Sequence, residues 1–204
     1  GAFNSGSTGR PGLMALPGEY SISLDMVAKG KVTRLSEPVA LNAVPLNWES
    51  IPVENREALY QFQQKLVAVA KDYMGMDREI STEITRVLTL KQAVLNTPSA
   101  SLELMNGLAE AEKELKEIKF AMEGPEAKAS WEELPPMHMP LNRRLNVAVR
   151  THWSSAGDLN KTVTDQYEII KQEMIPLENR LKVVKATVDK LESGVKAAGA
   201  GWTP

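Results

Sequence analysis

The residues of this chain that could do chemistry are few, and their spacing does not bring them together. His138, within Met137-His138-Met139, and His152 are its two histidines. A metal site needs several convergent ligands. Neither histidine has a second histidine or a carboxylate at ligand spacing along a helix face. The Met-His-Met triplet admits a copper reading, but the sequence favours a loop residue packed on a helical core. His152 beside Trp153 is expected to end a helix. Glu110, Glu112, Glu114, Glu117 and Glu123 interleave with Lys113, Lys116 and Lys119, the charge pattern of a solvated helix face rather than of a hydrolytic pair. No serine has nucleophile-elbow glycines around it. Gly199-Ala200-Gly201 lies at the C-terminal end, not between a strand and a helix, so it does not read as a phosphate cradle. The chain has no cysteine, which excludes thiolate chemistry and a disulfide framework. No catalytic residue, metal ligand or cofactor-binding residue is assigned.

Four tryptophans lie near helix ends or in loops: Trp48, Trp131, Trp153 and Trp202. Aromatic residues in such places suit a partner surface and equally suit plugging the ends of a bundle. Trp48 and Trp153 read as plugs. Trp131 sits in a proline-rich segment with Met137 and His138, and these three residues form the candidate interaction surface.

The elements that must carry these residues are mostly helices. Leu59, Phe62, Leu66, Val69, Tyr73, Met76, Ile80, Ile84, Val87, Leu90 and Val94 recur every three or four positions. So do Leu159, Val163, Tyr167, Ile170, Met174, Leu177, Leu181, Val184, Val188, Leu191 and Val195. Both sets trace one stripe of a long helix that must be buried lengthwise. The first helix is expected over about 53–96, with Gly75 a local soft spot. A second is expected over about 99–122, with Leu104, Leu108, Ala111, Leu115, Ile118 and Met122 as its stripe. Gly124-Pro125 ends it, and the prolines between 124 and 140 forbid regular helix. A short helix follows over about 141–153. A final one runs over about 158–198, with Asp158 as N-cap and Pro176 kinking it without breaking it.

Lengths set the topology. At about 1.5 Å per residue the first and last helices reach about 65 and 60 Å, and the two middle ones, about 36 and 20 Å, nearly equal one long helix end to end. The expected fold is mainly α: a long antiparallel three-layer bundle over 53–198, its middle column broken by the proline-rich loop. Because the stripes find partners within one chain, a monomer is expected.

Ahead of the bundle, residues 1–18 are rich in Gly, Ser and Pro and read as loop. From Glu19 the period changes to two. Tyr20, Ile22, Leu24 and Met26 alternate with Ser21, Ser23 and Asp25, as in a strand with one buried face. Ala28-Lys29-Gly30-Lys31 supplies a turn, and a return strand completes a β-hairpin over 19–45. A lone hairpin is marginal in water, so it must pack on the helices or belong to a larger sheet. Residues 199–204 form a tail.

Composition narrows the partners. A net charge of −2 with interspersed acids and bases lacks the clustered basic footprint of a nucleic-acid binder. No apolar run approaches the roughly 20 residues that span a bilayer. The chain opens Gly-Ala-Phe-Asn without an initiating Met and reads as a piece of a longer protein.

The order of segments resembles a known family. Leu16-Pro17-Gly18-Glu19-Tyr20-Ser21-Ile22-Ser23-Leu24, followed by a strand ending in Val39-Ala40-Leu41, is similar to the "LPGTYTVRL … QPLTV" ending of exported bacterial β-propeller proteins. These are of the sortilin-like, BNR-repeat type, often labelled glycosyl hydrolases. Pro140-Leu141-Asn142-Arg143-Arg144-Leu145 resembles that family's "P-x-L-N-x-x-L" segment, and Ser154-Ser155-Ala156-Gly157-Asp158 its "S-A-D" turn. The chain departs from the family at Leu41-Asn42-Ala43-Val44-Pro45, which lacks the usual Asp-Pro-Arg step, and it contains no Asp-box. The resemblance implies that the hairpin is a remnant of an immunoglobulin-like module and that the helices are a C-terminal domain. It further implies an extracytoplasmic location and a β-propeller, carrying any catalysis, upstream. The expected function is a non-catalytic structural or protein-interaction domain. Two alternatives are a glycan-binding accessory domain using Trp131 and a coiled-coil oligomerisation domain.

Overall fold

The structure is a computed structural model that describes residues 15–45, 54–125, 137–153 and 158–201. Its element order is β1 (Gly18–Ile22), β2 (Asp25–Ala28), β3 (Lys31–Arg34), β4 (Val39–Ala43), α1 (Arg56–Leu95), α2 (Leu102–Glu123), α3 (Leu141–Trp153) and α4 (Lys161–Ala197). The chain divides into two compact units, residues 1–64 with 152–159 and residues 65–151 with 160–204.

In the first unit the strands form one long antiparallel hairpin with an interruption. β1 pairs with β4 from Gly18↔Ala43 to Ile22↔Val39, and β2 pairs with β3 from Asp25↔Arg34 to Ala28↔Lys31. Lys29 and Gly30 both have positive φ, 51° and 77°, which is the backbone of a tight two-residue hairpin turn whose twist matches the strands. Between the two ladders one strand has Ser23 and Leu24, while the other has Leu35, Ser36, Glu37 and Pro38. The excess of two residues bulges out, and Leu35 N–H still donates to the Leu24 carbonyl at 2.8 Å. An even insertion preserves which side each residue faces, where a single inserted residue would invert it.

The hairpin therefore has one continuous apolar face, built from Tyr20, Ile22, Leu24, Met26, Leu35, Val39 and Leu41. The reverse face carries Glu19, Ser21, the Asp25–Arg34 ion pair at 3.2 Å, and Asn42, with an exposed Val27–Val32 pair near the turn. The sequence led us to expect this face to be buried, and it is not. Ile22, Leu24 and Val39 are 60%, 61% and 67% exposed. The alternation forms the two-sided ribbon it predicts, and among the described residues its apolar face stays exposed.

The start of α1 also lies in this unit. Asn55 Oδ1 accepts from Ala58 N–H at 2.8 Å, an N-cap. Asp158 was expected to cap the last helix. Instead its carboxylate accepts from the backbone N–H of Glu54 and of Asn55, where the positive end of the α1 dipole favours an anion. Asn160 caps α4, accepting from Val163 N–H at 3.0 Å. Both residues satisfy helical N–H groups, and the one nearer the first periodic apolar residue takes α4.

The second unit is the helical bundle. Arg86 pairs with Glu192 and Glu79 with Lys185, and the equal sequence separation of the two pairs makes α1 and α4 parallel. Lys91 meets Glu112 and Asp77 meets Lys119, so α2 runs against α1. Gly107 lies under Leu191 and Gly194 under Leu104, so α2 also runs against α4. A Cβ at Gly107 or Gly194 would come within 2.7 or 2.8 Å of the facing leucine methyl. These two glycines therefore allow α2 and α4 to pack closely. α3 continues the middle column: Asn142 Nδ2 donates to the Glu123 carbonyl at 3.1 Å, and Pro140 packs on Gly124.

Burial follows the predicted stripes. Leu66, Ile80, Val87 and Leu90 of α1, Leu108, Leu115, Ile118 and Met122 of α2, and Val163, Ile170 and Val188 of α4 are fully enclosed. The stripe of α4 holds its phase through Pro176 within one uninterrupted helix. Among the described residues, no helix is long and apolar enough to cross a membrane.

Candidate functional site

The expected interaction surface is brought together only in part. Trp131 lies outside the described residues, as do Trp48, Trp202 and the side chains of His152 and Trp153. Met137 is 45% exposed. His138 and the carbonyl of Met139 are both drawn to Arg144 of α3. The Arg144 Nε donates to the Met139 carbonyl at 3.1 Å, Nη1 donates to Gln166 Oε1 at 2.9 Å, and Nη2 lies 3.4 Å from His138 Nδ1. Arg144 is buried, on the same side of α3 as Leu141, Leu145 and Ala148. Its guanidinium ties the residues entering α3 to that helix and to α4, while His138 itself is exposed. Among the described residues, no three His, Asp or Glu side chains converge as a metal would require.

The ionisable groups that do converge form ties between helices. On α1, Arg86 reaches Glu83 of its own helix and Asp189 and Glu192 of α4. Glu83 and Glu192 are buried. Burial pulls the Arg86 guanidinium toward its neutral form, but hydrogen bonds to Glu192 and Asp189 outweigh this and hold it more firmly charged than usual. Lys196 and then Arg86 keep Glu192 below the usual carboxylate range. Glu112 is lowered by Lys116 and Lys91, and Glu114 by Arg180, which also bonds Glu117. Lys185 is raised chiefly by its bond to Glu79.

Each of these carboxylates is a charged acceptor already matched by a cation. A general acid or base needs a proton poised near working pH and a substrate within reach. Carboxylates paired in this way on helix flanks supply neither. The grooves beside them, one between α2 and α4 near Ala111 and Val184 and one between α1 and α4 near Met76 and Leu181, are bordered by these same ion pairs.

One group departs from this pattern. The Glu123 carboxyl is raised, first by burial, with Lys119 opposing and Asp77 adding to the rise. The Tyr73 phenol beside it is also pushed up, first by burial and then by Asp77 and Glu123. The sequence reading passed over Arg86, Arg144 and this cluster. A usable signal existed: Glu83 falls between Ile80 and Val87, and Glu192 between Val188 and Val195, both on buried stripes. A charge at a stripe position needs a partner across the helix interface.

No protein-family model, curated protein or solved structure matches this chain, so none of these comparisons links it to the sortilin-like, BNR-repeat proteins that it resembles.

Proposed function

We propose that this chain is a non-catalytic structural or protein-interaction domain of a larger exported, extracytoplasmic β-propeller protein. In this reading the remainder of the parent chain is its principal partner. The carrying observation is the amphipathic hairpin, whose apolar face is uncovered while the helical stripes are enclosed. Single exposed apolar residues are ordinary, but a contiguous exposed patch marks a contact surface. Seven side chains at about 100 Å² each make about 700 Å², close to one partner's share of a standard protein interface. An alternating β face fits best against another β-sheet, stacked about 10 Å away. The occupant is therefore the apolar face of further strands of the parent, as in the immunoglobulin-like module that the resemblance implies.

The enclosed stripes weigh against the coiled-coil alternative, since the periodic apolar positions that a second copy would cover are already buried within this chain. The ion-paired carboxylates weigh against hydrolysis by this chain. Hydrogen exchange on the parent protein tests the proposal. Amides of 18–43 should be more protected in the parent than in the present chain, and equal exchange in both would count against the reading. Reproducible glycosidase turnover by the purified chain would overturn the non-catalytic assignment.

A further inference from the structure

The joint between α2 and α3 holds an unusual arrangement of oxygen atoms. Asp77 Oδ1, on α1, is a buried acceptor with no hydrogen-bond donor. Glu123, the last residue of α2, has its carboxyl within hydrogen-bonding reach of Asp77. Among the described residues, Lys119 is the cation placed beside both. Its Nζ lies 3.8 Å from Asp77 Oδ1 and 3.6 Å from Glu123 Oε1, and it bonds Ser81 Oγ at 3.0 Å. Two charged carboxylates would thus face each other across the Lys119 ammonium, with one buried carboxylate oxygen unsatisfied, and Asn142 Oδ1 of α3 is a second buried acceptor without a donor. Leaving a buried acceptor unmatched is costly, and like charges in contact disfavour joint ionisation.

We infer that Glu123 carries a proton and donates it to Asp77 Oδ1, making this joint a pH-sensitive clasp between α1 and the end of α2. A carboxylic O–H is the donor that the orphan oxygen requires, and it removes the repulsion in the same step. The groups facing the clasp are Tyr73, Asp77 and Ser81 from α1 and Lys119 from α2. From α3, the uncharged Asn142 amide reaches the Glu123 carbonyl. Gly124 and Pro140 follow directly, so the clasp sits where the middle column changes helices.

The sign follows from the raised carboxyl. The folded state takes up this proton above the usual glutamate range, so the clasp is complete at mildly acid pH and opens as pH rises through the raised value. This is opposite to Glu112, Glu114 and Glu192, whose bonds fail only at lower pH.

Carboxyl-carbon NMR titration of the whole chain is the test. Glu123 should titrate above the ordinary glutamate value, and Asp77→Asn should shift its midpoint downward, because the facing charge is gone while Lys119 remains. Glu123→Gln, whose amide donates permanently to Asp77 Oδ1, should leave the protection factors of the α2–α3 joint amides unchanged as pH rises above the ordinary glutamate range, where the unsubstituted chain should lose protection. A Glu123 midpoint at or below the ordinary value, or one unmoved by Asp77→Asn, would overturn the clasp. So would unchanged pH dependence in Glu123→Gln.

Discussion

The hairpin and the helical bundle follow the same rule of apolar periodicity and reach opposite outcomes. In the bundle, a residue every three or four positions meets another helix of the same chain, and Ile80, Leu115 and Val188 are wholly enclosed. In the hairpin, alternation by two gathers most apolar residues on one face, kept in phase through a bulge, yet Ile22 and Val39 stay open. A stripe needs only complementary stripes, and this chain supplies three columns of them. A two-stranded face cannot cover itself. Apolar patterning thus fixes what should be buried, while the partner must come from wherever the chain or its surroundings provide one.

The comparison can be broken most strongly at the core. Leu66→Ala, Ile80→Ala or Leu115→Ala should each destabilise by about 2–5 kcal/mol, through lost burial and the cavity left behind. Ile22→Ala or Val39→Ala in the hairpin should fall within about 0.5 kcal/mol in the same urea titrations, since neither side chain is covered. A hairpin loss as large as a core loss would mean that its apolar face is occupied.

Next in size is the ion-pair network. Arg86→Ala leaves the buried Glu83 and Glu192 without their common cation. A cost of about 2–3 kcal/mol is expected, somewhat under that of a fully buried pair because Arg86 keeps some solvent contact. Urea denaturation of the variant measures it directly. A loss under about 0.5 kcal/mol would place the pair among ordinary surface bridges.

The pH dependence of the bundle rests on the depressed carboxylates Glu112, Glu114 and Glu192. An acid lowered by folding contributes stability above its unfolded value and loses it as pH falls through its folded value. Melting temperature should therefore decline below about pH 4.3, and Glu192→Gln should flatten part of that decline. Melting curves recorded from neutral to acid pH would show both.

The smallest effect has the opposite sign. Gly75 lies within α1 with open space where a Cβ would go, so Gly75→Ala should stabilise by about 0.5–1 kcal/mol in thermal melts. Gly107→Ala has the same helical preference, but its Cβ would press on Leu191 Cδ2. It should show less gain than Gly75→Ala.

The fold was largely legible because its signals are long. The α1 and α4 stripes repeat about ten times each, and the α2 and α3 lengths require a broken middle column. The cap of α4 was misplaced because Asp158 and Asn160 are both good caps within three residues, and a contact with Glu54 and Asn55, about a hundred residues away, separates them. The polar cluster was less legible for a related reason. Asp77 and Glu123 are unremarkable on their own helices, and only the antiparallel register of α1 and α2 brings both beside Lys119. Register between helices is set by side-chain fit and by close approaches such as those at Gly107 and Gly194, which no single stripe encodes.

The central claim is that the bundle is complete within this chain and the hairpin is not. Native-state hydrogen exchange on the intact chain tests it most directly, since it reads local opening residue by residue. Amides of α1, α2 and α4 beside Ile80, Leu115 and Val188 should open only with global unfolding. Amides in the β1–β4 ladder should exchange far faster, through local opening that leaves the helices intact. Hairpin amides protected to the same free energy as those helices would contradict the account.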